Sequence, residues 1–251
     1  MKIMVTGAKG FIGRNLVENL CNIKDGKNTT RPFSVKKVIS IDRESSEAEL
    51  IEGCREADFV FHLAGVNRPG DPSEFMEGNR NAAGNLLAHL RECGNCCPVM
   101  LSSSVQAGLE GRFADSEYGK SKLEGEELFF RHAKETGAKV LVYRFPNVYG
   151  KWCRPNYNSA VATFCYNTAN DIPLTIHDPS TELTLLYIDD LIEELFDAIE
   201  GKEHHSGKYC YVPLTHKKTL GEIAELLQSF HEFPCSRMIP DLPEQIGRAH
   251  V

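Results

Sequence analysis

Short apolar runs alternate with longer amphipathic segments along the first part of the chain. The runs at 3–6, 37–41, 59–63, 99–102 and 140–145 predict strands. None alternates cleanly between apolar and polar, as expected for strands covered on both faces. Apolar positions at helical spacing predict helices over about 11–21, 79–91 and 116–136. This succession reads as βαβ units around a parallel sheet. Residues 24–32 are polar, with Gly, Asn, Thr and Pro, and read as a surface loop. After Gly150 the pattern is less regular. Residues 151–159 read as a loop, and 189–200 as a helix. Thr219 and Glu222 form a capping box that opens another helix through about Phe230. The fold class expected is α/β: a Rossmann-like doubly wound parallel sheet with a small C-terminal lobe.

A chain of 251 residues suits one large α/β domain. The formal charge of −7 argues against general nucleic-acid binding, which wants a basic face. It leaves an anionic small-molecule substrate open. No apolar run approaches the ~20 residues of a membrane helix, and Met1 leads straight into a strand with no secretory signal. Nine cysteines without such a signal read as reduced thiols in the cytoplasm. Cys93, Cys96 and Cys97 have no second Cys-x-x-Cys to complete a zinc site, so no metal is expected.

The first predicted strand runs into Gly7-Ala8-Lys9-Gly10-Phe11-Ile12-Gly13. Glycines here permit a tight turn and close approach of the backbone to a pyrophosphate. The helix N-terminus that follows offers free N–H groups and a favourable dipole. The second strand ends at Asp42-Arg43. An acid there suits ribose hydroxyls and NAD, whereas an arginine suits a 2′-phosphate and NADP. The third strand ends in Leu63-Ala64-Gly65, small enough at its tip for a cofactor to lie close. His62, inside the same apolar run, reads as a core histidine.

Tyr118 and Lys122 stand four residues apart on one helix face, downstream of Ser102-Ser103-Ser104. A free phenol has a pKa of about 10, and a nearby ammonium is expected to lower it. Tyr118 then serves as proton donor to a carbonyl oxygen as hydride arrives at carbon. Ser104 orients that oxygen, and Lys122 also reaches the nicotinamide ribose.

These residues resemble the extended short-chain dehydrogenase/reductases, in their sugar-nucleotide branch. The likeness rests on the Gly7, Gly10, Gly13 spacing, His62-Leu63-Ala64-Gly65, Asn79 ahead of a Leu-Leu pair, the serine cluster, Tyr118-x-x-x-Lys122 and the run Arg144 to Gly150 with Asn147 inside it. A narrower likeness, at 62–69, 151–159, 162–166 and 182–185, is to the reductase domain of the capsular-polysaccharide enzymes making UDP-N-acetyl-L-fucosamine. The resemblance implies NADPH as hydride donor, with NAD(H) possible, a UDP-4-keto-6-deoxy-N-acetylhexosamine as substrate, and a homodimer. It adds Asn79 to the cofactor set. It also implies a domain over about 1–240, with a nucleotide-binding part to about 150 and a substrate-binding part from about 151. Residues 241–251 read as a tail, and the cupin-type domain of such relatives is not expected in this chain.

On the substrate side, Asn67 and Arg68 follow the third strand at the carboxyl edge, where ligands bind in such sheets. Asn147 belongs to the same set. Lys151, Arg154, Asn156 and Asn158 supply donors for a diphosphate and a sugar, with Arg154 able to grip phosphate bidentately. Related 4,6-dehydratases carry an Asp-Glu pair after the catalytic hydroxyl position, where this chain has Val105-Gln106, so dehydration is disfavoured. Two alternatives to reduction remain open: a UDP-sugar 4-epimerase with tightly bound NAD, and a non-catalytic dinucleotide-sensing binder.

Overall fold

The chain leads from β1 (Lys2–Thr6) through α1 (Phe11–Lys24), β2 (Lys37–Ile41), α2 (Glu47–Glu56), β3 (Phe59–His62) and α3 (Ser73–Phe75). A π-helical segment, Met76–Asn81, continues α3 into α4 (Ala82–Glu92), followed by β4 (Val99–Ser104), α5 (Glu117–Thr136) and β5 (Val140–Phe145). Next come β6 (Asn147–Tyr149), α6 (Ala160–Ala169), β7 (Glu182–Tyr187), α7 (Ile188–Glu200), β8 (His205–Ser206), β9 (Tyr209–Cys210), β10 (His216–Thr219) and α8 (Leu220–Ser236). This computed structural model describes residues 1–71 and 73–236. The tail expected over 241–251 lies outside the described residues.

The chain forms two compact units, one of Met1–Phe145 with Ile192–Pro213, the other of Pro146–Leu191 with the chain from Leu214 onward. The first holds a seven-stranded sheet in the order β2-β1-β3-β4-β5-β9-β8. All its neighbours are parallel except the short β8–β9 pair. The α/β fold with a largely parallel central sheet is therefore as the sequence predicts. The strand order reverses beside β1, which has β2 on one side and β3 on the other. In such sheets the carboxyl ends of the strands flanking that reversal form the ligand crevice.

The core explains the unalternating strand pattern. Met4, Val60, Leu101 and Val142 from four adjacent strands pack with Leu86, Leu87 and Leu90 of α4 and Phe129 of α5. Each such side chain contributes about 1.5–3 kcal/mol when fully buried.

Helix α1 continues to Lys24, beyond the expected end at 21. The polar loop that follows is tied down by Arg31, which pairs with Asp197 at 2.6 Å, Glu200 at 3.1 Å and Glu193 on α7. Helix α2 was not expected. It is opened by a capping box in which Ser46 and Glu49 satisfy each other's backbone N–H. Only Gly53 and Cys54 of it are buried, so it carries little apolar signal. The helix expected at 79–91 begins earlier and passes through the π segment, which includes Asn79.

The second unit has a three-stranded sheet in the order β10-β7-β6. Its core gathers Tyr149, Leu183 and Leu185 with Phe164 of α6 and Ile223 and Leu227 of α8. The expected capping box is present: Thr219 N–H donates to Glu222 at 2.8 Å, and Glu222 N–H to Thr219 Oγ1 at 3.1 Å. Among the described residues no helix is long and apolar enough to cross a membrane.

Candidate active site

Strand β4 runs to Ser104, two residues past its expected end, and its last residue caps a 3-10 turn by accepting from the Gln106 N–H at 3.2 Å. Ser116 caps α5, accepting from the Gly119 N–H at 3.0 Å and donating to the Gln106 side-chain oxygen at 3.0 Å. Helix α5 therefore starts directly against the turn after β4. The approach is close enough that a Cβ on Gly119 would stand 2.4 Å from the Gln106 carbonyl oxygen, a distance no side chain tolerates. This packing sets the Tyr118 phenol beside Ser104, which acts on it in the direction that favours its ionised form. The Lys122 ammonium lies 5.7 Å from the centre of the Tyr118 ring and donates to the Ser102 carbonyl at 3.1 Å. Phe75 flanks Tyr118 with its ring centre at 5.7 Å.

The electrostatics differ from the expectation that Lys122 lowers the Tyr118 pKa. Burial pushes the Tyr118 phenol up to about 12, against a smaller opposing effect of Ser104. The same burial pushes Lys122 down to about 8, with Glu126 acting in the opposite direction. At neutral pH the pair is thus a protonated phenol beside an ammonium. That is the state of a proton donor whose conjugate base has a counter-charge waiting.

The cofactor candidates cluster at the carboxyl ends of β1, β2 and β3. Gly7 has a φ of +69°, open to glycine, and a Cβ there would stand 2.7 Å from the Ala64 nitrogen. A Cβ on Gly13 would stand 2.1 Å from the Gly7 oxygen, so the turn cannot close with any side chain at that position. Gly10 is the N-cap of α1 and supplies no side-chain acceptor, and the first turn, with Phe11 and Ile12, holds no acidic residue. These amides suit an anion. Asp42 accepts from the Lys9 N–H at 2.6 Å and the Arg43 N–H at 2.7 Å, stitching β2 to the glycine loop. The Lys9 ammonium pairs with Glu44, and the Arg43 side chain is exposed.

After β3 come Leu63, Ala64 and Gly65. A Cβ on Gly65 would stand 2.7 Å from Asn79 Oδ1 and 2.9 Å from Lys122 Nζ. Asn79 is buried, accepting from the Val66 N–H and donating to the Val66 carbonyl and Ser121 Oγ. The glycine loop, the tip of β3 and the Tyr118–Lys122 pair therefore meet around one region of this unit, and the donor set fits a dinucleotide. His62 is buried, with Nδ1 bonded to Thr6 Oγ1 at 2.8 Å.

The substrate candidates are divided between the units. Asn67 and Arg68 are exposed in the loop after β3. In the second unit Asn147 donates to the Thr184 carbonyl at 3.1 Å, and Lys151 pairs with Asp189 at 2.8 Å. Arg154 lies over the Tyr157 ring at 5.6 Å. Asn156 and Asn158 are exposed in the same loop. Three positions of that loop, Gly150, Trp152 and Asn156, have positive φ. Cys21, Cys54, Cys93, Cys96, Cys97, Cys153, Cys165 and Cys210 are free thiols, and among the described residues no cluster of His, Cys, Asp or Glu is arranged for a metal ion.

One group near the pair was not read from the sequence. Glu126, fully buried one turn beyond Lys122, accepts from Arg144 Nε at 2.8 Å and Nη2 at 2.7 Å. It also accepts from Ser103 Oγ at 2.5 Å and the Tyr209 hydroxyl at 3.1 Å. The visible signal was the i, i+4, i+8 row Tyr118, Lys122, Glu126 on the inner face of α5.

Comparison with known proteins identifies the family and the fold. The NAD dependent epimerase/dehydratase family matches residues 3–209. The chain is 43% identical over 230 residues to the UDP-2-acetamido-2,6-beta-L-arabino-hexul-4-ose reductase of Pseudomonas aeruginosa, covering 92% of this chain and 58% of that protein. The capsular polysaccharide assembling protein CapF of Staphylococcus aureus superposes with a TM-score of 0.84 at 39% identity, over 99% of this chain and 63% of that one. The chain thus spans about three fifths of the length of these two relatives. The fold is shared with the UDP-glucuronic acid 4-epimerase of Bacillus cereus, solved with NAD, at a TM-score of 0.75 and 23% identity over 92% of this chain and 84% of that one.

Proposed function

The chain belongs to the NAD dependent epimerase/dehydratase family, and from that premise we propose that it reduces the 4-keto group of a UDP-linked 6-deoxy-N-acetylhexosamine, with NADPH as hydride donor. The observation that carries this reading is the buried Lys122 ammonium, 5.7 Å from the centre of the Tyr118 ring and anchored on the Ser102 carbonyl at the end of β4, where Ser104 also stands. The likeness to a relative named as a 4-ulose reductase supports the substrate class.

When bound, the dinucleotide supplies hydride to the carbonyl carbon. Tyr118 gives its proton to the carbonyl oxygen, and the C=O becomes CH–OH. Ser104 orients that oxygen, and Lys122 stabilises the phenolate left behind. The N–H groups at Gly10–Gly13 would hold the pyrophosphate, and Leu63, Ala64 and Gly65, in a loop fixed by Asn79, would leave room for the rest of the dinucleotide. Asp42, Lys9 and Arg43 would hold the adenosine ribose, where Arg43 would favour a 2′-phosphate and Asp42 would temper that preference. Asn67, Arg68, Asn147, Lys151, Arg154, Asn156 and Asn158 are proposed for the UDP-sugar.

Dehydration would need titrating groups after Ser104. Val105 offers none, and the Gln106 side chain is occupied by Ser116. A cytoplasmic homodimer, with a nucleotide-binding part to about residue 150 and a substrate-binding part after it, belongs to the same reading.

The test is to mix purified protein with a UDP-4-keto-6-deoxy-N-acetylhexosamine and NADPH and to follow absorbance at the nicotinamide band. Stoichiometric NADPH loss with a new C4 alcohol by NMR is expected. Protein that arrives with bound NAD and interconverts C4 epimers without consuming NADPH would contradict reduction.

A further inference from the structure

Helix α5 carries a buried charge that the proton transfer does not use directly. Glu126 receives four hydrogen bonds, two of them the parallel pair from Arg144. Anchoring a helix to a sheet does not require a carboxylate, since an apolar side chain would do so without desolvating two charges. What an apolar residue cannot supply is a negative field one turn from Lys122. Buried Lys122 and Glu126 with half-buried Arg144 carry one net positive charge, and neutralising Glu126 or Arg144 changes that sum in opposite directions.

We propose that Glu126 is a positioning residue for the reduction, its carboxylate supplying the negative field that holds buried Lys122 as an ammonium beneath Tyr118, with Arg144 setting the strength of that field. The other groups facing Lys122 do not take this role. His62, from β3, is pushed down to about 3 by burial and by Lys122 itself, and is uncharged at working pH. Asn79, from the π segment, does not titrate, and β4 offers only the Ser102 carbonyl. Tyr118 shares the helix and is protonated. Behind Glu126, the Tyr209 phenol of β9 is pushed up to about 12 and stays neutral as well. Glu126 also acts on Lys122 in the direction that favours its charge.

The role rests on the proposed reduction only for its kinetic consequence, so the primary readout needs no substrate. In protein labelled with 13C-lysine, the Lys122 Cε resonance is titrated by NMR in the parent, Glu126→Gln, Arg144→Gln and the double variant. Glu126→Gln should move the Lys122 midpoint down by about one pH unit, as expected for losing a unit charge one helical turn away. Arg144→Gln should move it up by roughly half a unit, since Arg144 offsets the Glu126 carboxylate it is bonded to. The double variant should return close to the parent. Where reduction is observed, the alkaline limb of kcat/KM should follow the same order. A purely structural pair would make both single variants lose stability and activity without opposite displacements. Midpoints that stay at the parent value, or that move in the same direction, overturn the proposal. So does failure of both single variants to fold, which would make the pair structural. If only Arg144→Gln folds, its upward shift supports the proposal and its absence refutes it. Altered midpoints with no activity on any keto-sugar would leave Glu126's role standing and count against the proposed substrate instead.

Discussion

Asn79 grips Val66 by both of its backbone groups: Oδ1 accepts from the Val66 N–H at 3.1 Å, and Nδ2 donates to the Val66 carbonyl at 3.0 Å. The same Nδ2 reaches Ser121, next to Lys122. One side chain thus ties the loop after β3 to the helix bearing Tyr118 and Lys122. It does so from a π-helical segment, whose wider turn often marks a functional position.

Asn79→Ala should leave Val66 N–H and C=O without their partner and destabilise the protein by about 1–3 kcal/mol, the cost of unmade buried hydrogen bonds. Dinucleotide binding should weaken as well, because Leu63–Val66 is freed. Thermal melting and a fluorescence titration with NADPH check the two effects. An unchanged melting temperature with unchanged binding would show that the loop is held by other groups.

Arg43→Ala should weaken NADPH binding by roughly 1.5–3 kcal/mol, the range for a charge-assisted hydrogen bond, and leave NADH binding nearly unchanged. Calorimetric titration with both nucleotides decides this. Equal weakening of the two would make Arg43 structural and would leave Asp42, already bonded to the glycine loop, in control of specificity.

The strands, the glycine loop and the Tyr118–Lys122 spacing were legible because each is a local pattern fixed by periodicity or by one turn of chain. The bounds moved where long-range contacts decide them. Ser103 and Ser104 look like the loop after a strand, yet they are strand residues because β5 pairs with them, opposite Arg144 and Phe145. Helix α2 was hidden because it is mostly solvated and has few apolar positions to repeat. The Glu126, Arg144, Ser103 and Tyr209 cluster was hidden for a different reason. Its members come from α5, β5, β4 and β9, as much as 106 residues apart between Ser103 and Tyr209 (209 − 103), and no sequence period links them. The pKa of Tyr118 was misjudged because sequence shows the ammonium's neighbourhood but not the depth of burial.

Lys122→Met should stabilise the protein while disabling it. Burial lowers the folded pKa of Lys122 to about 8, below its ordinary 10.5. Between those values the unfolded chain holds a proton that the folded protein has released, so this group makes stability rise with pH across that window and contributes a constant penalty below it. Removing the charge should raise stability at pH 7 by about 1–3 kcal/mol, part of the gain being lost with the Ser102 hydrogen bond. Urea denaturation at neutral pH and near pH 10 should show the advantage shrinking at the higher pH. A variant less stable than the parent at pH 7, or a difference that does not depend on pH, would show that the ammonium is not desolvated as described.

The most direct measurement is the single-turnover rate of NADPH oxidation by Tyr118→Phe with a UDP-4-keto-6-deoxy-N-acetylhexosamine, beside NADPH affinity measured on the same preparation. The phenylalanine ring keeps the packing against Phe75 and removes only the hydroxyl beside Ser104. The rate should fall at least about 100-fold, the lower end of a general-acid contribution, with affinity for NADPH nearly kept. A rate within a few-fold of the parent would contradict proton donation by Tyr118, and with it the mechanism assigned to this site.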